Sequence, residues 1–190
     1  MTDRLSDADK KELLKIAREA ISAAVDREPL NKIDLKSLSK NLQEDGASFV
    51  TLTINGRLRG CIGALEACQP LALDVQEHAV AAALEDYRFS HVSADEVPLI
   101  NIEISWLTPT KRLDYTDSSD LMSKLRPGTD GVLIKDGPRR ATFLPQVWEK
   151  ISDCEDYLSH LCEKMGARPD LWQQKHLEVY IYQVEEFKED

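Results

Sequence analysis

Asn55-Gly56 stands between two runs, residues 48–54 and 57–63, that alternate as strands do. Asn-Gly is the favoured pair for a two-residue type I′ turn, because both residues tolerate positive φ. The pair commits this stretch to a β-hairpin, and a two-residue loop commits the hairpin to a register: Ile54 faces Arg57, Leu52 faces Arg59 and Val50 faces Cys61. Arg59 and Cys61 then share a face with three aliphatic side chains, and Phe49, Leu58 and Ile62 take the other. With both faces partly apolar, the second strand is expected in the interior of a sheet. An arginine there needs an acidic partner or an anionic ligand. The strand reads Leu58-Arg59-Gly60-Cys61-Ile62-Gly63. Its two glycines mark a bulge or the close approach of another backbone or a ligand.

Helical signals lie on both sides. Ser6 is a candidate N-cap with Asp9 three residues on, ahead of Leu13, Ala17, Ala20, Ile21 and Ala24 at helical spacing, with Pro29 as the stop. Residues 30–42 read equally as a short helix or a loop. Residues 69–86 form a second helix with Pro70 in its first turn and Leu71, Val75, Ala79 and Ala82 on one stripe; His78, at its border, reads as a packed residue. After a loop at 87–91, Ser93 and Glu96 have the spacing of a capping box that opens one turn of helix, ended by Pro98. Ile100, Ile102, Ile104 and Trp106 then alternate with polar residues, as a half-buried strand requires.

Downstream, residues 108–131 look loop-like, with a short helix near 121–125. A second hairpin follows, 132–135 and 139–144 around Asp136-Gly137-Pro138. Residues 153–165 are a capped helix closed by Gly166, with Leu158, Leu161, Cys162 and Met165 inward. A short helical piece around Trp172 and one last strand, 177–184, complete the chain. Strands come as hairpins and singles, never as repeated βαβ units, which predicts an α+β fold with mainly antiparallel sheets.

The chain's 24 Lys and Arg against 34 Asp and Glu give a net charge of −10. Acidity of that size argues against non-specific nucleic-acid binding, which needs a basic footprint, although a local basic pocket is compatible with it. Residues 1–10 lack the apolar core of a signal peptide, and no apolar run is long enough to span a bilayer, so a cytoplasmic protein without membrane association is expected. None of the four cysteines stands in a C-x-x-C pair, and no cofactor or metal is expected.

Ordered blocks resemble the AMMECR domain family, also called protein A of the AmmeMemoRadiSam system. They are Leu58–Gly63, Asp86-Tyr87-Arg88-Phe89, Glu103-Ile104-Ser105, Asp130-Gly131, Phe143-Leu144-Pro145-Gln146-Val147 and Leu161–Gly166. They cover roughly residues 8–188, nearly the whole chain. The resemblance implies a single two-lobed α+β domain, a larger lobe from both chain ends and a smaller one inserted, with a cleft near the 58–63 strand proposed as a site. It also implies association with Memo-like and radical SAM proteins in a modification pathway. Where the family commonly has prolines after Arg-Phe, this chain has Ser90-His91, so the resemblance gives His91 no catalytic role.

Three readings of the candidate residues stay open. In the first, Cys61 is a catalytic nucleophile, activated by a cation such as Arg59 or a base such as His91. In the second, Arg59 clamps the carboxylate or phosphate of a small anion or nucleotide, Gly60 and Gly63 admit it, and Asp86, Arg88 and Phe89 line the site. In the third, Arg59 pairs with Asp86 or Glu103, the glycines serve packing, and the protein works as a partner-binding subunit.

Overall fold

The computed structural model describes residues 4–189. The first residues of the polar 1–10 stretch lie outside that description. Helix α1 (Asp7–Val25) opens on the expected box: Ser6 Oγ accepts the Asp9 N–H, and the Ser6 N–H donates to the Asp9 carboxylate. It ends ahead of Pro29, where Arg27 turns the chain at φ 59°. The ambiguous stretch holds a 3-10 turn (Leu35–Ser37) and the short helix α2 (Lys40–Gln43).

Strands β1 (Asp45–Ile54) and β2 (Arg57–Gly63) form the hairpin, with Asn55 and Gly56 both at positive φ. A two-residue strand, β3 (Gln69–Pro70), pairs with the start of β1 and leads into α3 (Leu71–Leu84). A 3-10 turn (Val97–Leu99) follows, containing Pro98 rather than being ended by it, and then β4 (Ile100–Leu107). The next elements are β5 (Lys111–Arg112), α4 (Ser118–Lys124), β6 (Gly131–Asp136), β7 (Arg139–Phe143), α5 (Cys154–Lys164) and α6 (Leu171–Gln174). The expected last strand, 177–184, is β8 (Glu178–Tyr182), and an unexpected further strand, β9 (Val184–Lys188), follows it in the other sheet.

The chain forms two units. One runs through Thr108 and takes up the chain again from Glu185; the other is Pro109–Val184. The first unit's sheet has the order β2-β1-β4-β9, with β3 beside β1. Strand β2 is therefore an edge, not an interior strand. Helix α3 packs on its inward face, where Ile62 joins the core, while Leu58 on the other face is exposed. Val50, Leu52, Ile102 and Ile104 are fully buried there with Leu13, Ile21, Val75 and Ala79.

The second unit's sheet has the order β5-β8-β6-β7. Val132, Ile134, Ala141 and Val179 on one face pack with Tyr157, Leu158 and Leu161 of α5. The two sheets and their helices make an α+β fold. Among the described residues no helix is long and apolar enough to cross a membrane.

Candidate functional site

The β1–β2 ladder begins in the expected register, Ile54 opposite Arg57 and Thr53 opposite Leu58. It then slips by one residue: Leu52 faces Gly60, Thr51 faces Cys61 and Val50 faces Ile62. Arg59 is the extra residue of a β-bulge. The expected pairings of Leu52 with Arg59 and Val50 with Cys61 are thus both displaced. A bulge inserts an unpaired residue and swings its side chain to a new direction, and here it aims Arg59 at the segment after α3.

Gly60 is what seats the bulge. A Cβ there would lie 2.1 Å from the carbonyl oxygen of Ala82 in α3, and one at Gly63 would lie 2.4 Å from both the Phe49 ring and the Ser48 carbonyl. The atoms that come close to these glycines are the protein's own.

Arg59 is fully engaged. Its Nε and Nη2 donate to the two carboxylate oxygens of Glu96 at 2.8 and 3.0 Å. Nη1 donates to the Ser90 carbonyl and Nη2 also to that of His91, at 2.8 and 3.1 Å. The acidic partner is Glu96, neither Asp86 nor Glu103. Glu96 also accepts the Ser93 N–H at 2.9 Å, so one carboxylate does two jobs. The arginine's hydrogen bonds hold the Glu96 carboxyl down at about 2. The fork that could have clamped an external anion closes on an internal one.

Asp86 and Arg88 act on Cys61 itself. The buried Asp86 carboxylate accepts the Cys61 N–H at 2.9 Å and takes Arg88 Nε and Nη2 at 2.8 and 2.6 Å. Arg88 Nη2 reaches on to the Cys61 carbonyl at 3.2 Å. The Arg88 hydrogen bonds keep the Asp86 carboxyl far below its ordinary range, and its acceptance of the Cys61 N–H adds to this. An exposed edge strand presents unpaired N–H and C=O groups. Here two side chains two residues apart take the place of a neighbouring strand.

The Cys61 thiol is half-buried and accepts a hydrogen bond from Thr51 Oγ1 at 3.2 Å. Thr51 and Glu103 are cross-strand partners, so Cys61, Thr51 and Glu103 form one row across β2, β1 and β4. Phe89 lies beside Arg88, 5.5 Å from guanidinium carbon to ring centroid. Tyr87, between them and Asp86, is 94% exposed. His78 is buried, with Nδ1 3.2 Å from Asp74, whose same oxygen receives Ser48 Oγ. In that arrangement the carboxylate, not the imidazole, meets the hydroxyl, which is not how a nucleophile is activated.

The structure thus brings Arg59, Gly60, Cys61, Asp86, Arg88 and Phe89 to one edge, while Gly63 packs on Phe49. Sequence reasoning passed over Thr51 and assigned Glu96 only to a cap. The alternation of β1 would have placed Thr51 on the Cys61 face had the bulge been assigned. No sequence signal linked Glu96 to Arg59. Among the described residues, no group of three or more His, Cys, Asp or Glu side chains is arranged to hold a metal ion.

The AMMECR1 family model matches residues 14–187. A Methanopyrus kandleri protein, MK0488, is 34% identical, with all of this chain and 93% of that protein covered. A Methanothermobacter thermautotrophicus protein is 36% identical over 98% of this chain and 97% of its own length. Among solved structures, the crystal structure of the uncharacterized protein PH0010 from Pyrococcus horikoshii superposes with a TM-score of 0.74 at 30% identity, covering 94% of this chain and 90% of that one.

Proposed function

The chain belongs to the AMMECR1 family, and from that premise we propose that it is an accessory, partner-binding subunit serving Memo-like and radical SAM proteins in a modification pathway. The observation that carries this reading is how the site's charges are spent. Arg59 is committed to Glu96 and two carbonyls, and Asp86 and Arg88 to the backbone of Cys61. Together they brace the loop at 87–91 against β2 and hold Tyr87 outward. An aromatic side chain presented on an ordered loop loses little conformational entropy on docking, and tyrosine is enriched among residues that dominate interfaces.

Thiol chemistry ranks second. The Thr51 hydroxyl on Cys61 Sγ favours it, because a donor of that kind supports a thiolate. Against it, the nearest guanidinium meets the Cys61 carbonyl rather than the sulfur.

Affinity capture with purified Memo-like and radical SAM proteins from the same organism tests the first reading. The wild-type chain is expected to retain at least one of them and Tyr87→Ala to lose it, with an unchanged melting curve. Retention of neither protein, or equal retention by Tyr87→Ala, would sink this reading.

A further inference from the structure

Strands β5, β8, β6 and β7 bury one face against α5; the other face carries a different chemistry. The register places Arg112, Tyr180, Leu133 and Thr142 in one row across all four strands, and Glu178, Lys135 and Arg140 in the next. Arg112 and Arg140 are exposed, and Tyr180, Leu133 and Lys135 half-buried. Lys135 Nζ sits 4.9 Å from the Tyr180 ring centroid. Tyr182, in the row beyond, lies over Gly131 and bonds Thr142 Oγ1 at 2.8 Å, so its ring is fixed flat to the sheet.

Three cations thus surround one aromatic ring and one leucine. Glu178 takes the Tyr180 hydroxyl at 3.0 Å, Asp114 lies 3.3 Å from Arg112, and Arg140 is itself engaged by a neighbour. Residues 109–184 are close to charge balance, so the chain's net −10 resides almost wholly in the other unit. The acidity that speaks against a basic footprint for the chain as a whole therefore does not govern this face.

We propose that this sheet face binds single-stranded nucleic acid, with a base on Tyr180 and Leu133 and phosphates on Arg112, Lys135 and Arg140. A sheet surface that stacks unpaired bases on aromatic side chains, with cations along the backbone path, is a general solution for single strands. Dimensions favour a strand over a mononucleotide. Four strands spaced about 4.8 Å apart put Arg112 and Arg140 on the order of 15 Å from each other. That exceeds the reach of one phosphate and its base and suits a few linked nucleotides. An acidic protein segment would use the same cations but not the ring.

The test is fluorescence anisotropy of a labelled oligouridine of about 12 nucleotides with the full chain, at about 50 and 200 mM salt. Binding is expected at the lower salt and weaker at the higher. Arg112→Ala and Arg140→Ala should each reduce the slope of log affinity against log salt by about 0.7. Tyr180→Ser should cost roughly five- to hundredfold in affinity, and Tyr180→Phe no more than about twofold. If Tyr180→Ser does not fold, photo-crosslinking of a thiouridine oligomer to the wild type replaces it, with adducts expected on residues 133–135 or 178–182. No binding at low salt, wild-type slopes in both arginine variants, adducts confined elsewhere, or equal binding of polyglutamate would each overturn the proposal.

Discussion

The carboxylate of Asp86 accepts the backbone N–H of Cys61 at 2.9 Å, across 25 residues of chain. Arg88 then donates to the same residue's carbonyl. Removing the carboxylate leaves an edge N–H and a guanidinium without their partner. Asp86→Ala should lower unfolding free energy by about 2 kcal/mol, the scale of a hydrogen bond to a charged group together with the group it orphans. Urea denaturation measures this. Asp86→Asn, which can still accept one N–H, should lose less, and equal losses would mean that the Cys61 contact contributes nothing.

Acid sensitivity follows from the two carboxylates. Glu96 falls from an ordinary 4.5 to about 2 because of Arg59, and Asp86 lies lower than its ordinary value because of Arg88. A depressed carboxyl pKa contributes stability that is present above the unfolded-state value and is lost as pH falls through the folded-state value. The thermal midpoint should therefore decline between about pH 4.5 and 2. In Glu96→Gln the decline should be shallower over that window, with a lower midpoint at neutral pH. Parallel curves for the two proteins would contradict the Arg59–Glu96 assignment.

Gly60→Ala tests the bulge. With the Ala82 carbonyl 2.1 Å from the added methyl, either α3 or β2 must shift. Overpacking of this kind costs roughly 1–3 kcal/mol. A loss of helical far-UV signal below the wild-type melting temperature would accompany it. A neutral outcome would show that α3 yields at Ala82.

Alkylation should rank the cysteines by environment. Cys68 is exposed and should react first. Burial, reinforced by Asp153 and Glu155, pushes Cys154 up to about 11, and burial also raises buried Cys162. Both should react slowest near neutral pH. Cys61, half-buried, should fall between Cys68 and these two, as read from peptide masses over a time course. If Cys61 outruns Cys68, the thiol-catalysis reading moves ahead of the accessory one.

Much of the fold could be read locally. The Ser6–Asp9 box, the stripe of Leu71, Val75, Ala79 and Ala82, and the Asn55-Gly56 turn each depend on neighbours within a few residues. The site could not be read in that way. Glycines announced irregularity in β2, yet which residue bulged depended on where α3 presses, and α3 meets Gly60 through Ala82. Glu96 looked committed to Ser93, and it is, but a carboxylate has capacity for more than one donor. The last stretch reads as one strand, 177–184, because Glu185, Glu186 and Lys188 beyond it are poor strand formers. Where it changes sheets is decided by the β4 edge waiting in the other unit.

That change of sheets sets a timetable for biosynthesis. Strand β9 adjoins β4, and on the same stretch Lys10 meets Glu185 at 2.7 Å and Arg18 pairs with Glu189. Everything from α4 to β8 is translated while β4 still lacks that neighbour. The unit that starts first on the ribosome is thus the one that finishes last. A nascent chain stalled before residue 184 holds its exposed β4 edge open to any passing strand.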